Sequence, residues 1–528
     1  MVDSRKHIEL FAGCGGMALG MEAAKFKLFF ANELSPMAGE TFAYNILGEN
    51  LQEALENKKS AKNVKWVSSK YDATDLVNRL RENPLDSINR DYTDLKDFEN
   101  FKEKLIIGDI NELLEFFNNN QEVVSQIQKK NIDLLSGGPP CQGFSLAGLR
   151  KKDDYKNKLP MSFVKMAALI QPKVILLENV KGITSPFTEN GKKHYAWLEV
   201  SKAFALNGFV PVCMMLNSKY FGVPQNRPRF ILFAFRRDIF DKLLLEESLN
   251  EILNISEGFY NKVVASEKEL EKITIKDFKY YNIEDESEYF NGNVLPEIIT
   301  EKGEFISASS AIDDISNPSK KYKFKNIKAD YSLKLAEHFI NKDYLENGLL
   351  KNHEERNHGK LVKERFKIYQ AISNLNNGLQ VNAYRLITNK VINAEDEEEV
   401  LNALKQFKFG IKGEIRFKSN KELRAYISER STRKHSQRAL QIKEPAPAQL
   451  TIPDDVCHYK ETRTLTVREM ARFQSFPDWF VFRSKVTTGG NMRRFEVPQY
   501  TQVGNAVPPL LAEVLGKTIS KLLDKIDE

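Results

Sequence analysis

The chain has 528 residues, 41% hydrophobic and 28% charged, ordinary for a globular protein and long enough for more than one domain. Four scattered cysteines (Cys14, Cys141, Cys213, Cys457) form no CxxC pair, which argues for a reducing compartment without a structural metal site. No apolar run reaches the roughly 18 residues of a membrane span, and the N-terminus runs into a strand-like segment with no signal-peptide core, so a cytoplasmic protein is expected.

Taken in chain order, the first half alternates short apolar runs with helical patterns. HIELFAG (7–13) reads as a strand, MALGMEAAKF (17–26) as a helix and KLFFANE (27–33) as a strand. A polar, charge-mixed stretch over 50–104 reads as an insertion. EKLIIGDI, NIDLLSGG, KVILLENV, VPVCMMLNS and RFILFAFRR follow as further apolar runs. Apolar strands separated by helices predict a doubly wound, mostly parallel α/β sheet of Rossmann-like type, covered on both faces. Residues 238–304 carry 7 basic against 17 acidic residues and read as an acidic connector. Residues 318–450 carry 27 basic against 16 acidic residues, a net of +11 against +6 for the whole chain. PAPAQL (445–450) reads as a linker, and LTVREMARFQSF and PLLAEVLGKTISKLL as amphipathic helices. The expected organisation is a catalytic and cofactor-binding domain over 1–310 and a smaller, basic domain over 311–450. A segment over 451–528 is then expected to pack back on the first domain.

Three stretches carry candidate chemistry. In FAGCGG (11–16), Gly13, Gly15 and Ala18 satisfy a dinucleotide-type G-x-G-x-x-G/A pattern between a strand and a helix. Glu33 ends the next strand, placed to accept ribose hydroxyls, and Asp109 ends a later one, within reach of an adenine amino group. A nicotinamide enzyme competes on this motif alone, but Phe11 and Cys14 crowd the turn, which favours a cofactor without phosphates. GGPPCQGFS (137–145) fixes a backbone shape around Cys141 at a strand end. LLENV places Glu178 at another strand end in apolar surroundings, and QNRPRF places Arg227 and Arg229 two residues apart. A strand-end thiol, a buried acid and paired guanidiniums suit nucleophilic attack on a ring whose developing charge needs stabilising.

In this order the blocks resemble the DNA cytosine-C5 methyltransferases of bacterial restriction-modification type. FAGCGG is similar to the family's first motif, PPCQGFS to its catalytic loop, ENVKG to its glutamate motif and QNRPR to its arginine motif. TLTVREMARFQSFPD (464–478) and QVGNAVPPLLAEVLG (502–516) resemble its last two motifs. The resemblance implies S-adenosylmethionine as cofactor, held by Phe11, Gly13, Gly15, Gly16, Glu33, Asp109 and Asn505, with no metal. It implies Cys141 as the nucleophile toward C6 of a flipped cytosine, with Glu178, Arg227 and Arg229 as its catalytic partners, Arg229 toward the base carbonyl and Arg227 supporting the loop. Duplex DNA is the implied partner of a monomeric, nucleoid-associated enzyme, with a cognate restriction endonuclease as a second partner. DNA contacts are expected from Gln142, Ser145, Arg150 and Lys151 in the catalytic loop, and from Lys421, Arg424, Arg430, Arg433 and Lys434 in the basic target-recognition domain. Two other readings stay open. One is the tRNA-modifying branch of the family, disfavoured by the long basic region; the other is a silent DNA-binding regulator on the same fold, disfavoured by the intact catalytic set.

Overall fold

The computed structural model describes residues 4–86, 88–140, 155–189, 192–246, 250–341, 348–434 and 436–527. They form two compact units: Met1–Val223 with Arg227–Glu304 and Val481–Glu528, and Pro224–Asn226 with Phe305–Phe480. Among the described residues no helix is long and apolar enough to cross a membrane.

The first unit is built on a nine-stranded sheet. Its strands are β1 (Arg5–Leu10), β2 (Phe26–Glu33), β3 (Val64–Trp66), β4 (Lys104–Ile107), β5 (Leu134–Gly137), β6 (Val174–Val180), β7 (Phe209–Asn217), β8 (Pro228–Arg236) and β9 (Tyr280–Asn282). Their spatial order is β9-β7-β8-β6-β5-β1-β2-β4-β3, and only β8 runs antiparallel to its neighbours. Every residue of β5 and β7 is buried, the unbroken apolar pattern required of strands covered on both faces. One face packs Ile8, Phe30, Ile106, Leu177 and Phe230 into a core; the other packs Ala31, Phe42, Trp66, Leu105 and Ile107. Covering helices include α1 (Gly16–Ala23), α2 (Pro36–Asn45), α3 (Ile110–Asn119), α4 (Tyr155–Ile170) and α5 (Ala196–Leu206). The C-terminal helix Pro509–Asp527 lies against α1 so closely that a Cβ on Gly20 would stand 2.3 Å from the Pro509 carbonyl oxygen. Only glycine permits that approach. The doubly wound architecture expected from the sequence is therefore present, with one reversed strand.

Two expectations are corrected. The stretch 50–104 is not one insertion: Leu51–Glu56 is a helix, and Val64–Trp66 enters the sheet as its edge strand beside β4. Three residues are too few for alternation to announce a strand. The acidic stretch 238–304 is not merely a connector, since it supplies the helix Asn250–Ala265 and the opposite edge strand β9. Phe259 stacks on Phe278 at 4.0 Å inside the core, beneath acids that face outward.

The second unit is helical. Helices α6 (Lys360–Ile372), α7 (Asn377–Ile387), α8 (Ala394–Leu404) and α9 (Asn420–Glu429) enclose a core of Phe366, Tyr369, Leu386, Val400, Leu404, Leu423 and Ile427. This unit extends to Phe480, past the 450/451 boundary read from the linker-like PAPAQL. The helix Val467–Phe473 ties it there. Arg472 donates to Asp478 at 2.9 Å and to Asp314 at 2.6 Å, Arg468 donates to the Phe480 carbonyl at 2.6 Å, and Arg463 pairs with Glu469 at 2.7 Å. All three arginines are buried, a commitment that amphipathic periodicity does not reveal.

Candidate active site

The parallel strands send their C-terminal ends to one edge of the sheet. The chain leaves β1 toward β2 on one side and returns through β5 on the other, so the crevice between β1 and β5 is a topological switch point, where such sheets bind ligands. Two sequence motifs open onto it.

After β1, Phe11, Gly13 and Gly15 take φ values of 56°, 55° and 98°. A Cβ on Gly15 would lie 2.8 Å from Ile46 Cγ1, whereas one on Gly13 would meet nothing within 4 Å. Glycine at 13 thus leaves backbone beside open space that a ligand can fill. Gly16 starts α1. Glu33, half-buried at the end of β2, accepts the Gly13 N–H through Oε2 and the Ser35 N–H through Oε1, each at 2.8 Å. Burial pushes its pKa up, and the amides of Ser35, Gly13 and Leu34 oppose that rise. Each oxygen retains a second lone pair for a hydroxyl donor. The next strand end follows at once: Gly108 N–H donates to the Glu33 carbonyl at 3.0 Å, and Asp109 caps α3 by accepting the Asn111 N–H at 2.7 Å. Phe11 stacks on Phe163 of α4, centroids 6.5 Å apart and planes 24° from parallel. An open glycine backbone, a carboxylate at one strand tip and a second at the adjacent tip fit a nucleoside.

The catalytic motifs meet on the other side of the switch point. Glu178 on β6 is 8% exposed, and its Oε1 lies 2.8 Å from Arg229 Nε. The reversed strand makes this contact: β8 begins where β6 ends, pairing Arg229 with Val180 and Ile231 with Glu178. The apolar surroundings expected for Glu178 are corrected to an ion pair. Glu178 Oε2 would stand 3.0 Å from a Cβ on Gly138, so a side chain before Pro139 would press on that carboxylate. Asn179, which the sequence reading passed over, donates to the Pro139 carbonyl at 2.9 Å. Its place beside Glu178 at a strand end was the available signal. Cys141, Gln142, Ser145, Arg150 and Lys151 lie outside the described residues. Gly138 and Pro139, which lead toward them, lie beside Glu178 and Asn179 respectively. The thiols of Cys14, Cys213 and Cys457 are buried, which pushes all three pKa values up, that of Cys213 to about 12. None of the three is a thiolate near neutral pH.

Arg227 does not share the task of Arg229. It is buried, and its Nη2 donates to the carbonyls of Gly504 and Ala506, both at 3.0 Å. These flank Asn505, itself exposed at the end of the helix Gln499–Asn505. Gln502 anchors the same turn by accepting from Thr41 Oγ1 at 2.7 Å, while its carbonyl lies 3.7 Å from Cys14 Sγ. The Asn505 segment is therefore bonded to the glycine turn.

In the second unit the candidate cations divide. Arg424 pairs with Glu397. Arg430 pairs with Glu364 at 2.8 Å and lies over Tyr426, and Lys434 pairs with Asp454 at 2.9 Å. Lys421 and Arg433 are exposed and have no ion pair among the described residues.

Against known proteins, the family model described as C-5 cytosine-specific DNA methylase matches residues 5–74 and 96–521. The type II methyltransferase M1.HphI of Haemophilus parahaemolyticus is 25% identical over 98% of this chain and 87% of its own. The type II methyltransferase M.DdeI of Desulfomicrobium norvegicum is 25% identical over 98% of this chain and 89% of its own. Among solved structures, S. pombe Dnmt2 methyltransferase aligns over 99% of this chain and 100% of its own, at 14% identity and a TM-score of 0.41.

Proposed function

The chain belongs to the C-5 cytosine-specific DNA methylase family, and from that premise we propose that it methylates C5 of a cytosine swung out of a specific duplex DNA sequence, through a covalent Cys141–C6 adduct. S-adenosylmethionine, when bound, supplies an electrophilic methyl group. The observation that carries this reading is the convergence of Glu178, Arg229 and the prolines leading to Cys141 on one strand edge beside the glycine turn.

In this reading each residue has a defined task. The Cys141 thiolate adds to C6 as the C5–C6 double bond opens toward C5. Once C5 carries the methyl group, loss of the C5 proton to a base and breakage of the C6–S bond restore the ring and the thiolate. Glu178 shares a proton at ring N3 and accepts from the exocyclic amino group, limiting the negative charge that addition would place on the ring. Arg229 holds Oε1 of Glu178 and leaves Oε2 toward the base, while its guanidinium also meets the base carbonyl. Glu33 accepts ribose hydroxyls, Asp109 the adenine amino group, and Phe11 and Gly13 line the nucleoside. Asn505, held between two carbonyls gripped by Arg227, meets the methionine end. Duplex unstacking costs a few kcal/mol, which contacts to the extruded base must offset. The relatives' type II role supports a modification enzyme with a cognate endonuclease, acting in the bacterial cytoplasm. The target sequence is assigned to side chains of the second unit.

The test is Cys141→Ser with turnover and S-adenosylmethionine affinity measured together. A serine hydroxyl is far harder to ionise than a thiol, so transfer should vanish while affinity stays within about twofold. Serine turnover like that of the parent removes the covalent route.

A further inference from the structure

The family match passes over residues 75–95, and the structure folds this stretch back onto the edge of the sheet next to Asp109. Its outgoing and returning limbs pair with each other: Ser69 and Tyr92 exchange two backbone hydrogen bonds, and Asp94 N–H donates to the Trp66 carbonyl at 3.0 Å. Arg79, 2% exposed, lies over the Trp66 ring at 5.0 Å and donates to Asp94 Oδ2 at 2.7 Å. A second arginine, its side chain 6% exposed, works on the other side. Arg90 donates to the Pro84 carbonyl at 3.0 Å, to the Ser68 carbonyl at 2.9 Å and to Glu112 Oε1 at 3.2 Å. Ser68 Oγ donates to Glu112 Oε2 at 2.6 Å. One oxygen of Glu112 is therefore held from the inserted lobe, by Arg90, and the other by Ser68 just before it.

Glu112 stands in the first turn of α3, three residues after the cap Asp109. The cap commits Asp109 Oδ1 to the N–H and side-chain amide of Asn111, and Asn111 in turn accepts from Ser162 of α4 at 2.7 Å. Val67 packs on Gly108, where a Cβ would come within 3.0 Å of the valine Cβ. Val67 thus packs against the strand end before Asp109, while Arg90 of the lobe grips the helix start after it.

We infer that the 75–95 lobe is a clamp that positions Asp109 for the cofactor's adenine through the Arg90–Glu112 contact, with Ser68 at its base holding the other oxygen. Arg90 is a positioning residue, and the inference rests on the reading of Asp109 as the adenine amino contact. A lobe built only for stability has no reason to grip the helix turn that follows Asp109. One built for positioning makes base discrimination depend on a side chain that touches no ligand.

The experiment compares calorimetric Kd values for S-adenosylhomocysteine and its inosine counterpart, in which the 6-amino donor is replaced by a carbonyl. The parent protein should prefer the adenine form by about tenfold or more, the worth of a hydrogen bond to a charged acceptor. Arg90→Ala and Glu112→Gln should each lower that ratio by about threefold or more, with Arg90→Lys restoring part of it. If the parent shows no preference, the Asp109 reading fails and the clamp with it. If the parent discriminates and both variants keep the full ratio, the clamp alone is overturned, whatever their melting temperatures.

Discussion

The strand-end site of the first unit and the cation-rich stretch 418–438 of the second both stand out in the sequence, yet their charges are used in opposite ways. At the site, Glu33 is held by backbone amides beside an open glycine, and Glu178 by one guanidinium beside the proline turn. In the second unit, Arg424, Arg430 and Lys434 are each satisfied by an acid of their own unit. Arg463, and Arg468 and Arg472 of the helix Val467–Phe473, add three buried arginines committed to carboxylates and carbonyls. A spacing motif reports where groups point, because strand ends, glycines and prolines fix the backbone locally. A charge total reports only how many cations there are, not how many are free.

The sharpest way to break this comparison is at Glu178. Glu178→Gln keeps the shape but removes the shared proton and the charge facing Arg229. Turnover should fall by on the order of 10²–10⁴-fold with the fold intact by circular dichroism. A loss under threefold would make the ion pair structural and erase the distinction between the two regions.

The second unit should show its internal use of charge in its acid stability. His458 is buried, and its Nδ1 accepts the N–H groups of Lys460 and Glu461, so a proton there would cost both bonds. Its pKa is lowered to about 4, chiefly by burial. The folded form then binds the proton less readily than the unfolded chain. The contribution is fully present above about pH 6.5 and is lost as pH falls toward 4, amounting to roughly 3 kcal/mol at the acid end. Glu469, lowered to about 2 with the Arg463 ion pair opposing burial, loses its contribution only below its ordinary value near 4.5. Melting midpoints from pH 7.5 to 5 should therefore drop, and less steeply in His458→Gln. Identical slopes in the two proteins would contradict the assignment.

The smallest effects sharpen the division among surface cations. Lys421→Ala and Arg433→Ala should each flatten the dependence of log K on log salt for duplex DNA by about 0.9. Arg424→Ala and Arg430→Ala should leave that slope unchanged, because their charges already face Glu397 and Glu364. Salt titrations by fluorescence anisotropy decide this. Equal slope changes in all four would mean that the ion pairs open on binding.

The sheet and the site were legible for a common reason. Unbroken apolar runs such as FVPVCMMLN have one stable place, a doubly covered strand, and glycine or proline immediately after a strand marks its end. The reversal of β8 was not legible, since its sequence is as apolar as the strands on either side; only its antiparallel pairing with β6 and β7 reveals it. The separate duties of Arg227 and Arg229 came from the resemblance and not from their spacing. A spacing of two places residues on one face only within a strand, and β8 starts at Pro228, between them. Edge strands β3 and β9, three residues each, carry too little pattern to separate from the polar segments around them.

The central claim, a covalent Cys141–C6 route at this strand edge, is met most directly by trapping. A duplex carrying 5-fluorocytosine at the target position permits thiolate addition and methyl transfer but blocks the release that normally removes the C5 proton, since fluorine cannot leave as a cation. Incubation with S-adenosylmethionine followed by intact and peptide mass spectrometry should give a one-to-one protein–DNA adduct carrying one added methyl group. The crosslink should map to the peptide containing Cys141 and be absent from Cys141→Ser. A protein that methylates ordinary cytosine in the same duplex yet forms no adduct, or forms it at another residue, would contradict the account.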